Sequence, residues 1–375
     1  MEYPRIIEEF LELVRTPSHS FRERELADLL KAKLNDLGLE FREDNAGTKI
    51  GGDTGNVIAR WPGDPSLPPV MFSAHMDRVD NPGLIVPVVR DHEDRITSNG
   101  CTILGADDVS GIVAILDGIR RVQKSGAPHG DVECVFSVAE EVGLLGAANL
   151  DVSSLRSKTA YVLDSGGRLG TLVRGAPTQF TFMAGIRGRA SHAGMEPEKG
   201  LNAIKVGAEI LAGIREGRLS PTATSNFGII FGGKATNIVC DYLEIRGEAR
   251  SHDYQELKAY LDEVDRAFTE GCAARGAGLV IDFKLEYPSF SVPEGHPVLA
   301  LAARAMEKLG IGPEVTIAGG GQDGNHFNAR GIVSVGVATG YDKVHTPQEE
   351  QSISQLVKCG ELVAAIILEA ASGGI

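Results

Sequence analysis

The sequence predicts an α/β fold: a catalytic α/β domain with a central mixed sheet, interrupted by an inserted α+β domain. Three observations carry this. Apolar strand-like runs alternate with amphipathic helical stretches over 1–175 and again over 289–375. Between them, over 176–288, strands joined by hairpin-like links accompany two long helices, the pattern of a compact α+β unit with an open-faced sheet. The 375 residues also exceed the usual size of a single hydrophobic core.

In order, residues 1–38 read as two helices: an acidic amphipathic one at the start, and a second over 21–37 with Ser18 and Ser20 available as caps. Strands are expected at 56–61 and 70–74, a helix at 109–122 with Ile112, Ile115, Leu116 and Ile119 on one face, and strands at 132–138 and 160–163. The insert reads as strand 179–188, helix 200–216, strands 225–232 and 238–250, helix 253–274 and strand 279–287. The α/β pattern then resumes with helix 297–309, strand 332–338 and helix 349–371.

The formal charge is −14, from 51 acids against 37 bases. That balance argues against nucleic acid or an anionic membrane as partner, since both require basic surface. The start of the chain does not read as a signal peptide, and no apolar run approaches the roughly eighteen residues of a spanning helix. Five scattered cysteines without metal-finger spacing read as reduced, mostly buried thiols, so a cytoplasmic location is expected.

His75, Asp107, Glu141, Asp164 and His345 each end an expected strand or lie in a loop after one. Imidazole and carboxylate without thiolate suit two divalent ions sharing a bridging carboxylate. Spare acids stand beside them at Asp77 and Glu140, as hydrolysis requires: one to orient a ligand, one to take a proton from water. His75 and Asp77 are two apart on a strand and point the same way, toward the carboxyl end of the sheet where open α/β folds bind ligands. Each residue also has a bland reading. His75 alone is a satisfied strand-end histidine. Asp107-Asp108 is an N-cap pair before the helix at Val109, in which one acid caps and the other bridges. Glu140-Glu141 is a solvated loop, although the apolar stretch from Val142 to Ala147 argues burial, which is costly for an unpaired carboxylate. Gly319-Gly320-Gly321-Gln322-Asp323 lacks the ending of a phosphate-binding loop and reads as a place where backbone, Gly320 included, approaches substrate. Neither a serine elbow nor a cysteine with a partner motif is present.

With these residues in view, the chain resembles the dinuclear zinc peptidases related to carboxypeptidase G, aminoacylase and acetylornithine deacetylase, and within them the peptidase T branch of tripeptide aminopeptidases. The resemblance spans essentially the whole chain. It rests on His75-Met76-Asp77, Ile103-Leu104-Gly105-Ala106-Asp107-Asp108, Glu140-Glu141-Val142-Gly143-Leu144, Asp164, Gly188-Arg189-Ala190-Ser191-His192-Ala193-Gly194 and His345-Thr346-Pro347. It implies that His75 and Asp164 hold one metal, Glu141 and His345 the other, and Asp107 bridges them. It implies further that Asp77 orients His75, that Glu140 is the general base and that the Asp107–Asp108 peptide is cis. The insert would be a dimerisation or lid domain, with His192 reaching a scissile carbonyl and Asn237 and Arg250 contacting substrate.

Three segments depart from the usual family pattern: Arg78-Val79, Asp107-Asp108-Val109-Ser110 and Gln322-Asp323. They are expected near substrate, where they would alter specificity and leave the chemistry intact. The expected activity is therefore exopeptidase hydrolysis of short peptides, tripeptides first, by a metal-bridged water. The cofactors would be two divalent ions, zinc before cobalt or manganese, in a homodimer built through the insert. An N-acyl amino acid deacylase with the same chemistry is the alternative, and a metal-free binding protein the remoter one.

Overall fold

The computed structural model describes residues 4–81 and 83–373. The chain divides into two compact units: one runs to Ala176 and resumes at Phe290, and the other is Pro177–Ser289. The initial residues 1–3 of the expected first helix lie outside the described residues, and the helix proper is Arg5–Arg15.

The first unit is built on an eight-stranded mixed sheet. From one edge its order is Glu40–Glu43, Val57–Trp61, Val132–Ser137, Val70–His75, Thr159–Ser165, Val333–Ala338, Thr171–Val173 and Glu314–Thr316. The four central strands from Val132–Ser137 to Val333–Ala338 run parallel. Val57–Trp61 runs antiparallel to Val132–Ser137. The central strands are almost wholly buried and mostly apolar because helices cover both faces. Alternation still sorts their side chains: Phe72, Ala74, Tyr161 and Leu163 join a core with the helices Arg5–Arg15, Arg24–Asp36, Ala106–Ser125, Pro297–Lys308 and Ile353–Ala371. Met71, Ala160 and Val162 face the other way, onto Ala147, Leu150 and Phe327. The α/β architecture read from the sequence is the one observed.

The differences are local. The second helix begins at Arg24, not residue 21, and neither serine caps it: Ser18 Oγ donates to the Met76 carbonyl (2.6 Å) and Ser20 Oγ to Asp77 Oδ2 (2.7 Å). Residues 350–352 of the expected last helix form a strand, and the helix starts at Ile353 behind a Ser352 cap. That strand belongs to a small sheet ordered Tyr341–Asp342, Glu350–Ser352, Arg95–Ser98 and Pro87–Arg90, which the sequence reading did not anticipate.

The second unit is an antiparallel sheet ordered Gly217–Arg218, Ala223–Gly232, Tyr242–Ser251, Thr178–Arg187 and Gly278–Tyr287. The helices Ala203–Leu211 and Tyr254–Arg275 pack on one face through Val206, Ile210, Leu257, Val264 and Phe268. The first of these helices starts at Ala203, later than the expected 200, because Asn202 caps it, its Oδ1 accepting the amides of Ile204 and Lys205, and it ends at Leu211, short of the expected 216. Four of the five cysteines are buried and all are free; Cys101 is exposed.

Candidate metal centre

Parallel strands bring their carboxyl ends to one edge of the sheet, and the acids gather there. His75 ends Val70–His75, and Asp164 lies near the end of the adjacent Thr159–Ser165. The strand on His75's other side, Val132–Ser137, leads into the turn that carries Glu140 and Glu141. Asp107 and Asp108 hold non-helical backbone at the start of Ala106–Ser125 and are joined by a cis peptide bond. Their tasks divide. Asp108 caps the helix, its Oδ1 accepting from Gly111 N (3.2 Å), while its Oδ2 accepts from His75 N (3.1 Å). Asp107 turns to the histidines.

His75 Nε2 lies 3.0 Å from Asp107 Oδ1 and 3.8 Å from Asp164 Oδ1. His345 Nε2 lies 3.0 Å from Glu141 Oε1 and 3.5 Å from Asp107 Oδ2. One carboxylate thus faces both imidazoles with different oxygens. His75 Nδ1 donates to the Asp77 carbonyl at 2.9 Å, which aims Nε2 at Asp107. The Asp77 carboxylate is farther from Nδ1 (3.5 Å), and it accepts hydrogen bonds from Ser20 Oγ (2.7 Å), Glu140 N (2.8 Å) and Glu141 N (3.2 Å). The main-chain oxygen of Asp77, more than its side chain, therefore fixes the His75 ring.

The donor set asks for cations. Potential ligand atoms of His75, Asp107 and Glu141 lie within 4.8 Å of one another, as do those of His75, Glu140 and Asp164, and those of Asp107, Asp108 and Asp164. Burial lifts the carboxyls of Glu140, Asp164 and Asp108 well above the usual range, and the charge of Asp164 adds to the effect on Glu140 and Asp108. Burial acts on Asp107 too, but hydrogen bonds from His345 and His75 hold it low. Hydrogen bonds to Asp107 and Glu141 push His345 up to about 10. So many buried acids at one point are costly unless compensated, and hard divalent ions on oxygen and imidazole are the fitting compensation. Ala139 and His345 also hold left-handed backbone (φ 51° and 61°), strain of roughly 1–3 kcal/mol each that the surroundings must enforce.

Two groups at the centre escaped sequence reasoning. Tyr341 Oη donates to Asp164 Oδ1 (3.2 Å) and lies 3.4 Å from Asp107 Oδ1. Glu349, fully buried, accepts the amides of Leu104, Gly105 and Asp107. Asp323, in the Gln322-Asp323 segment already singled out, accepts from Ser137 Oγ at the end of the strand Val132–Ser137.

Within the three segments expected near substrate, Arg78, Ser110 and Gln322 are buried and make structural contacts. Arg78 is 3% exposed, donates to the carbonyls of Val14 (2.8 Å) and Thr16 at the end of the first helix, and packs its stem beneath Gly105. Ser110 Oγ donates to Gln351 Oε1 at 2.6 Å. The Gln322 side chain is buried against Gly336. Gly320 sits half-buried in the loop before the short helix Gly324–Ala329.

The remaining expected residues belong to the second unit. His192 Nδ1 accepts the amides of Gly194 (3.2 Å) and Met195 (3.1 Å), which turns Nε2 outward, and Ala193 N donates to the Asn237 carbonyl (2.9 Å). Those two loops are therefore neighbours. Arg250 forks onto Glu248 with bonds of 3.0 and 2.9 Å.

Residues 178–275 match the family described as a peptidase dimerisation domain, and residues 56–172 match peptidase family M28. The chain is similar to an uncharacterized protein, YqjE, of Bacillus subtilis, with 38% identity over 98% of both chains. It is similar to a peptidase T of Fusobacterium nucleatum at 25% identity, covering 94% of this chain and 91% of that one. Among solved structures it is similar to aminopeptidase PepT of Bacillus cereus (38% identity, 98% of both chains, TM-score 0.87). A tripeptidase of Staphylococcus aureus superposes with TM-score 0.92 at 33% identity, again over 98% of both chains. With relatives this near over its full length, the chain belongs to the peptidase T-like family of metallopeptidases.

Proposed function

We propose that this protein is an aminopeptidase that removes the first residue of short peptides, tripeptides above all, at a centre of two zinc ions. The observation that carries the reading is Asp107, whose two oxygens face His75 on one side and His345 on the other. In this reading His75 and Asp164 hold one ion, Glu141 and His345 the other, and Asp107 both. Bound divalent ions supply Lewis acidity, drawing the pKa of water toward neutrality and polarising the scissile carbonyl. Glu140 is buried and has no side-chain partner among the hydrogen bonds described, so its carboxylate is available to accept the proton of the attacking water and return it to the leaving amine. Asp77 keeps His75 and the Glu140 turn in register. The names of the similar structures, an aminopeptidase and a tripeptidase, support the substrate class.

His192, Asn237, Arg250 and Gly320 are the proposed substrate contacts. His192 offers Nε2 to the scissile carbonyl. Arg250 already forks onto Glu248, so a peptide carboxylate must compete with that acid for the guanidinium. A homodimer through the second unit is supported by the strand Ala223–Gly232, which pairs with the two-residue outer strand Gly217–Arg218 only at Thr224 and Ser225, and where Ile229, Ile230 and Phe231 are 58, 59 and 71% exposed. A cytoplasmic location is supported by the free cysteines and by the lack, among the described residues, of a helix long and apolar enough to cross a membrane.

A panel of unblocked di- and tripeptides and N-acetyl amino acids, assayed with zinc, cobalt and manganese, tests the reading. Release of the amino-terminal residue from tripeptides is expected. Preference for the acylated substrates would replace it with a deacylase, and absence of both metal and hydrolysis would leave only a binding protein.

A further inference from the structure

Three successive backbone amides, those of Ala139, Glu140 and Glu141, each donate to a buried carboxylate. Asp77 takes the second and third. The first goes to Glu23, whose Oε1 accepts from Ala139 N at 3.0 Å and from Phe21 N at 3.0 Å. Glu23 is fully buried, 116 positions from Ala139, and belongs to no part of the catalytic set described above. Its segment grips the centre at two further points, through Ser18 Oγ on the Met76 carbonyl and Ser20 Oγ on Asp77 Oδ2. Ala139 is left-handed without being glycine, a conformation that needs an external hold, and Glu23 supplies an acceptor for its amide.

We propose that Glu23 is a positioning residue for the reaction: by accepting the Ala139 amide it sets the direction in which Glu140 and Glu141 leave the strand Val132–Ser137. Glu140 and Glu141 are adjacent, so a change in the backbone twist at Ala139 swings both carboxylates at once. The inference rests on the roles proposed for those two residues. Both amides bond the same oxygen, and Glu23 Oε2 has no partner. Glutamine therefore preserves the function: its carbonyl replaces Oε1, and its amide group takes the place of Oε2 near the negative charge of Asp77. Alanine does not.

The test compares Glu23→Ala, Glu23→Gln and Glu140→Gln in the full-length protein. Tripeptide kcat and KM are measured, together with zinc retention against a competing chelator in the absence of substrate. Glu23→Ala is expected to lose kcat by about ten- to a hundredfold with little change in KM, and to hold zinc about tenfold more weakly. Glu23→Gln is expected to restore both to near the native values. Wild-type kcat and zinc retention in Glu23→Ala overturn the proposal. Equal impairment of Glu23→Gln and Glu23→Ala overturns it as well, because charge and not acceptance would then be required. If Glu23→Ala does not fold, Glu23→Asp, which keeps the charge but falls short of Ala139, takes its place under the same outcomes. An active Glu140→Gln sinks the functional reading itself, whereas an inactive Glu140→Gln beside an unaffected Glu23→Ala sinks only the role of Glu23.

Discussion

Glu349 and Asp107 stand 242 positions apart, and the carboxylate of the first accepts the backbone amide of the second at 3.1 Å. Its other oxygen accepts from Leu104 N (2.8 Å) and Gly105 N (3.0 Å). A single side chain on the loop that carries His345 therefore holds the loop that carries Asp107. Burial raises the Glu349 carboxyl, the charge of Asp107 adds to the rise, and the three amides oppose it. An acid surrounded by donors cannot be replaced by its amide without setting one donor against another.

Glu349→Gln is accordingly predicted to weaken metal binding by about ten- to a hundredfold, as for other partners that orient metal ligands. The measurement is chelator competition on the purified protein, read beside the melting temperature of the metal-free form. Native metal affinity in a folded Glu349→Gln protein would show that the loop of Asp107 keeps its place without this contact.

Asp107→Ala is predicted to lose more metal than His75→Ala. A bridge serves both ions, whereas His75 serves one in the proposed arrangement, and Asp107 is the acid within 3.5 Å of both His75 and His345. Metal analysis after dialysis decides it. If Asp107→Ala retains two tightly held equivalents, the bridge is not Asp107, and Asp108 must be reconsidered despite its hydrogen bonds to His75 N and Gly111 N.

What could be read from the sequence follows from where the information resides. Four of the residues proposed to bind metal end an apolar strand or follow one, a local pattern, while Asp107 opens a helix, and the structure brings His75, Asp107, Glu141, Asp164 and His345 together. Ser18 and Ser20 were misread because a serine before a helix resembles a cap in any local window; their true partners, Met76 and Asp77, are 58 and 57 positions away. Glu349 was hidden for the same reason, and its neighbours 350–352 passed as helix because a three-residue strand has too few residues to display a period. Arg78 resembled a substrate contact by its place after Asp77, and only the tertiary fold shows its guanidinium at the end of the first helix.

His326 gives a pH prediction remote from the proposed ligands. Burial, with Arg330 nearby, lowers its pKa to about 4 from a reference of 6.5, and its Nε2 has no partner. The folded state thus refuses a proton that the unfolded chain accepts. Stability from this residue is complete above about pH 6.5 and falls as pH drops toward 4, levelling below that. The loss between about pH 7 and pH 5 should be on the order of 1–2 kcal/mol. Urea unfolding of wild type and His326→Gln at both pH values isolates it: the drop should be smaller in the variant, and equal drops would mean that His326 takes up its proton in the native state.

The last prediction concerns His192 and the proposed dimer. His192 is fixed by two amides of its own loop, so its outward Nε2 is aimed by the second unit rather than by any metal. His192→Ala is predicted to keep its metal and its fold while losing most of its rate. If the histidine serves the site of the partner subunit, mixing inactive His192→Ala with inactive Glu140→Gln protein should restore part of the activity. In each hybrid, one site then receives an intact Glu140 from one chain and an intact His192 from the other. Subunit exchange must be verified independently, for example by mass-tagged subunits. Exchange without recovery would place the action of His192 within its own chain, and a monomer in solution would remove the arrangement altogether.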